Sequence, residues 1–204
     1  MSTLPMSLLR SASTVSAFTL ASRVTGLVRE LLIAATFGAS AITDAFNVAF
    51  RIPNLLRRLF AEGAFSQAFV PVLSATKARD GDVATKDLIT RVATVLFWIL
   101  LATSVLGTLA APLLVWLMAS GLSAQGMDAG VVMTRIMFPY IAFMSLCALA
   151  SGVLNTYKRF AVPAFTPVLL NVCMIVGAWL GAPWFKSLGI EPMYAVAAGV
   201  MLGG

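Results

Sequence analysis

The stretch LITRVATVLFWILLATSVLGTLAAPLLVWLM, residues 88–118, decides the fold. Its one charged side chain is Arg91, near the start. At about 1.5 Å per residue it reaches roughly 46 Å, more than the ~30 Å of a bilayer's hydrocarbon core. A run this long and this apolar is a membrane-spanning helix, and Pro112 is expected to kink it.

Working outward, similar runs flank it on both sides. The spacing predicts helices over about 7–37, 42–74, 131–154, 163–180 and 192–204. Gly38-Ala-Ser-Ala is a tight turn before the second run. That run contains Pro53 and Pro71 and is too long for one straight span, so it is expected to be kinked or broken. Lys77-Ala-Arg-Asp-Gly-Asp is a polar loop, and residues 119–130 form a second loop without Lys or Arg. Pro139 falls inside the fourth span, and Gly181-Ala-Pro-Trp-Phe-Lys is expected to be a loop. The last run, 192–204, covers only about 20 Å at 1.5 Å per residue. The chain is therefore expected to stop within a sixth span. Nothing resembles a cleaved leader, because the first apolar run is long and holds Arg23, Arg29 and Glu30.

Composition agrees with an all-α, polytopic integral membrane protein. Of 204 residues, 60% are hydrophobic and 11% charged, with a mean hydropathy of +0.94. Soluble domains carry about 25% charged residues. With no His and only eight carboxylates, the chain lacks the usual means of a soluble enzyme. A membrane enzyme acting on a polyprenyl pyrophosphate would bring clustered carboxylates for metal, and the only cluster here is Asp80, Asp82 and Asp87 around a loop. No enzyme activity, cofactor or metal site is expected. Cys147 and Cys173 sit in apolar runs and read as small buried hydrophobes.

The net charge of +6 is explained by topology and does not call for nucleic acid. With the N-terminus in the cytoplasm, the inner side carries Arg10, Lys77, Arg79, Lys86, Arg91, Lys158 and Arg159. The outer side carries Lys186, with Arg135 near an outer helix end. Trp116, Trp179 and Trp184 fall near outer ends, where aromatic belts form.

Five of the ten arginines lie between residues 21 and 60. An Arg at mid-bilayer costs roughly 2.5–3.5 kcal/mol on insertion scales, so Arg23 and Arg29 must face a wet cavity or the bundle interior. At 100° per residue, Ser16, Thr19, Ser22, Arg23, Gly26, Arg29 and Glu30 share an arc of about 140°. In the second run Asp44, Asn47, Arg51, Asn54 and Arg58 form one stripe at spacings of 3, 4, 3 and 4, which Glu62 would continue but for Pro53. Two such stripes predict a cationic cavity suited to a phosphate-bearing substrate, because guanidinium makes paired, charge-assisted hydrogen bonds. Glu30, Asp44 and Glu62 are too few to neutralise the arginines and suit switchable ion pairs at a gate. The plainer readings are snorkelling of Arg57, Arg58 and Arg51, an Arg51–Asp44 pair, structural ion pairing of Arg23 and Arg29, and local hydrogen bonding of Ser16, Thr19 and Ser22.

Three blocks carry a resemblance. They are SRVTGLVRE at 22–30, FGASAITDAF at 37–46, and PNLLRRLFAEGAFSQAFVP at 53–71. FPYI at 138–141 and LNTYKRFAVPAFTPVLLN at 154–171 agree. Together these resemble the MurJ (MviN) lipid II flippases of the multidrug/oligosaccharidyl-lipid/polysaccharide exporter superfamily. The resemblance implies a MATE-like N-terminal six-helix lobe over residues 1–204, with the C-terminal lobe of the same protein as its partner. It implies alternating-access movement of lipid II from the cytoplasmic to the periplasmic leaflet of a bacterial inner membrane, in peptidoglycan synthesis and the maintenance of cell shape. Membrane lipids are further partners, and the sequence identifies no cell-wall synthesis protein among them. The resemblance assigns substrate binding to Arg23, Arg29 and Arg57; the stripe points to Arg58, and both are kept, with Ser22 and Asn54. Glu30, Asp44 and Glu62 match acidic positions linked to gating, and Arg51 is grouped with them. Two alternatives stand beside this reading: an exporter of another anionic lipid-linked sugar, and a non-transporting membrane scaffold.

Overall fold

The computed structural model describes residues 4–57, 64–157, 159 and 161–204, with side chains described over 13–55 and from 67 onward. Among these residues the secondary structure is entirely helical. Three stretches, Gln67–Leu109, Ala124–Thr156 and Ala161–Ser187, are long and apolar enough to cross a membrane.

Helix α1, Leu4–Phe37, is stopped by Gly38, whose φ of 61° suits a residue without Cβ. The Ser40 hydroxyl then accepts from the Thr43 amide at 3.2 Å and starts α2, Ala41–Arg57. Pro53 lies inside α2. Between α2 and the next helix, residues 58–63 lie outside the described residues, and with them Arg58 and Glu62.

Helix α3, Ala64–Leu109, has two arms joined at Gly81, whose backbone (φ 79°, ψ −172°) is not helical. The polar stretch at 77–82, expected to be a loop, is thus helical on either side of one glycine. Phe69 and Leu73 on the first arm, and Leu96 and Leu100 on the second, share a core with Ile52, Phe138, Ile141 and Leu149. Lys77 sits 3.3 Å from the centre of the Tyr157 ring.

Two prolines begin helices where kinks within helices are expected. Pro112 occupies the first turn of α4, Ala111–Met118, and Pro139 caps α6, Tyr140–Thr156. A proline lacks the amide hydrogen that an interior position needs, whereas a first turn leaves that donor free. Between them, α5, Ala124–Met137, starts earlier than the sequence suggests. The Ser123 hydroxyl caps it by accepting from Gly126 N at 3.1 Å. Gly126 and Gly130 are not loop glycines; an added Cβ would lie 3.2 Å from Ala41 O and Val115 Cγ1 respectively.

Helix α7, Ala161–Val176, runs through a π turn, Gly177–Gly181, into α8, Ala182–Ser187, so the loop expected at 181–186 is helical too. The last helix, α9, spans Met193–Leu202. Helix α1 packs on α7, α2 on α5, α3 on α6, and α7 on α9. A second core joins α1, α2, α5, α6, α7 and α9 through Ile33, Phe46, Met133, Tyr140, Met174 and Val196. Cys147 and Cys173 are free, half-buried thiols.

Candidate functional site

The polar arc of α1 divides on folding. Ser22, Gly26 and Arg29 turn toward α7, joined there by Thr25 from outside the arc, while Ser16, Thr19, Arg23 and Glu30 stay exposed. Arg23 and Arg29 are six residues apart, so they project about 120° apart around the helix.

Arg29 is the more enclosed of the two. Its side chain is 17% exposed, and its Nη1 donates to Asn171 Oδ1 at 2.7 Å. Asn171 is buried, and its Nδ2 donates to Ser22 O at 3.0 Å and to Thr25 Oγ1 at 3.2 Å. One amide therefore pins α7 to the α1 backbone and orients the guanidinium. Nη2 pairs with the carboxylate of Glu30, which is itself 65% exposed. The Nε of Arg29 is buried with no hydrogen-bond partner.

These groups open onto a cleft of about 380 Å³. Ser22, Arg29, Asn54 and Asn171 supply its polar lining; Phe50, Tyr140, Pro167 and Leu170 supply the walls. The volume is at the lower end of the ~300–1,000 Å³ typical of small-ligand sites. It admits a phosphate-sized anion and not a whole glycopeptide. The chemistry fits, because Arg29 offers a buried N–H and Asn171 fixes the plane of the fork.

The structure thus brings Ser22, Arg29 and Asn54 together and leaves other expected residues apart. Asp44 and Arg51 are exposed on α2, outside the cleft. They make no ion pair with each other among the described residues, which removes one of the plain readings. Arg57 ends α2, with its side chain outside the described set, and Arg58 and Glu62 lie outside it altogether. The sequence reading gave no role to Asn171, Thr25 or Tyr140. For Asn171 a signal existed: it is a lone amide in the apolar run 168–176. A larger groove of about 500 Å³, between α7, α8 and α9, is lined by groups such as Val172, Val176, Trp184 and Leu202 and carries no charge.

Comparison with known proteins gives concordant results. A family described as lipid II flippase MurJ matches residues 33–204. The lipid II flippase MurJ of Burkholderia cenocepacia is 59% identical over 201 residues, which is 98% of this chain and 38% of that protein. A probable lipid II flippase MurJ of Vibrio cholerae is 43% identical over 207 residues, covering 97% of this chain and 38% of the relative. A solved structure of lipid II flippase MurJ in an inward closed conformation superposes with a TM-score of 0.77 at 31% identity, over 93% of this chain and 39% of that one. The chain spans about 38% of the length of the curated relatives it matches.

Proposed function

The chain belongs to the lipid II flippase MurJ family, and on that premise we propose that it forms the N-terminal lobe of a transporter that flips lipid II. The Arg29 cleft then receives the pyrophosphate. The observation that carries this reading is the buried Nε of Arg29 without a partner. Leaving a buried donor unpaired costs about 1–3 kcal/mol, and more for a charged group, and an entering phosphate oxygen would remove that cost.

Asn171 holds the guanidinium plane while the exposed Glu30 carboxylate swings away and an anion replaces it. Arg23, on the exposed edge of α1, and Arg57, at the end of α2, add positive charge around the entering group. Ser22 and Asn54 offer hydrogen bonds at the rim. Asp44, Arg51, Arg58 and Glu62 serve the opening and closing of the path against the second lobe. The glycopeptide, too large for this cleft, occupies the space between lobes, and the prenyl chain stays in lipid.

Sidedness follows from charge. Lys77, Arg79, Lys86, Arg91 and Arg159 lie in the segments flanking the Gly81 bend and the end of α6, and this bias supports the reading that this end and the N-terminus face the cytoplasm of a bacterial inner membrane. Across an inside-negative membrane, outward movement of an anion gains about 2.3 kcal/mol per charge per 100 mV. Arginines that travel with the anion reduce the net charge moved, and with it that gain.

Native mass spectrometry of the purified chain with lipid II tests the reading. The comparison is an Arg23→Ala, Arg29→Ala, Arg57→Ala variant of unchanged helicity. Binding by the parent that is lost in the variant is the expected result. Equal binding by both would overturn the assignment of these arginines. A lipid-linked sugar without the peptide serves as the competitor: equal affinity for it would favour a broader class of anionic lipid-linked substrates.

A further inference from the structure

Away from the Arg29 cleft, one groove of about 560 Å³ carries opposite charges. It lies between α4 and α5, and its lining includes Pro112, Trp116, Asp128, Val132 and Arg135. Asp128 and Arg135 are exposed, and neither forms an ion pair among the described residues. Seven residues apart on α5, they share one face and lie about 10 Å apart along its axis.

Their order along the helix is fixed. Helix α5 begins at the end of the bundle that also holds the α1–α2 turn, because Gly126 abuts Ala41 there. Asp128 is therefore near the surface, and Arg135 lies two turns deeper in the apolar stretch Ala124–Thr156. Val115 packs at Gly130, which sets the neighbouring, exposed Trp116 near the level of Asp128. Tryptophan favours the head-group boundary. The flanking Leu113, Leu117 and Val132 are exposed as well, so this side of the lobe faces lipid.

An unpaired guanidinium below the head groups seeks an anion and extends its side chain toward the surface. A carboxylate at the surface seeks a cation. We propose that this groove binds one phospholipid whose head group carries a primary ammonium beyond its phosphate, the phosphoethanolamine class. The phosphate meets Arg135, the ammonium donates to Asp128, and an acyl chain lies against Pro112 and Val132. A trimethylated head group has no N–H to donate to Asp128. A phosphoglycerol head group brings no cation and leaves Asp128 facing an anion.

The test is native mass spectrometry of the purified chain with phosphatidylethanolamine, phosphatidylcholine and phosphatidylglycerol of identical acyl chains. The expected order places phosphatidylethanolamine at least about fivefold above either of the others. Arg135→Gln lowers its retention about fivefold, and Asp128→Asn removes its advantage over phosphatidylcholine. Both side chains are exposed, so the fold is retained, as helicity checks. Equal retention of the three lipids by the parent, or any other order, overturns the proposal without reference to a variant. An advantage that survives both substitutions overturns the site.

Discussion

Asn171 on α7 accepts from Arg29 Nη1 at 2.7 Å while its own amide donates to Ser22 O on α1 at 3.0 Å. One side chain thus joins two helices and orients a cation. Polar contacts between membrane helices are worth about 0.6–1.7 kcal/mol. Asn171→Ala is expected to lower stability by about 1–2 kcal/mol and to weaken lipid II binding severalfold. Asn171→Asp separates the two effects. A carboxylate there strengthens the pairing with Arg29 but removes the Nδ2 donor to Ser22 O, so stability falls about as in Asn171→Ala, whereas binding falls further because the charge that an incoming anion needs is occupied. Thermal melts beside binding measurements check this, and undiminished binding by Asn171→Asp would remove Arg29 from the anion site.

Arg23 provides the contrast, since it is exposed. Arg23→Ala is expected to change stability by no more than about 0.5 kcal/mol. Binding of lipid II should still weaken, with the loss growing smaller as salt screens the charge. A large drop in melting temperature would show that Arg23 is structural.

These two arginines also mark how far the sequence can be read. Their shared helix and arc were legible because 100° per residue is a local rule. Which of them is sequestered was not, because the answer lies on α7, 142 residues away. The membrane class and the α1–α2 turn were equally plain from hydropathy and Gly38. The start of α5 was hidden because Gly126 and Gly130 look like loop residues until the close approach of α2 and α4 is known. Pro112 and Pro139 read as kinks because a proline signals a break without saying on which side the next helix begins.

The α7–α9 seam should be intolerant of added atoms. A Cβ at Gly177 would lie 2.6 Å from Ala195 O, and one at Gly199 2.6 Å from Cys173 O. Both obstacles are backbone, so Gly177→Ala and Gly199→Ala are expected to cost about 1–3 kcal/mol through overpacking. At Gly26 the nearest atom is Asn171 Nδ2 at 3.5 Å, an ordinary contact. Gly26→Ala should be neutral or stabilising by up to about 1 kcal/mol. Thermal unfolding of the three variants side by side decides it.

Gly81 tests conformation without sterics. Nothing lies within 4 Å of its absent side chain, yet its φ of 79° and ψ of −172° suit glycine alone. Gly81→Ala is expected to cost about 1–3 kcal/mol. Asn tolerates left-handed helical angles, but not this extended ψ, so Gly81→Asn should fare no better. Full rescue by Asn in a melting experiment would show that the bend differs from the one described.

The long reach between Arg29 and Asn171 bears on how the protein is made. Helix α1 leaves the ribosome well before its partner helix exists. At roughly 5–20 residues per second, the 142 residues between them take about 7–28 seconds to synthesise. Through that interval the newborn helix must hold a mid-length guanidinium without its amide clamp. The adjacent Glu30 is the one counter-charge among the described residues already paired with it. The same carboxylate that we propose yields to an anion in the finished protein would act, during biogenesis, as an escort for its neighbour.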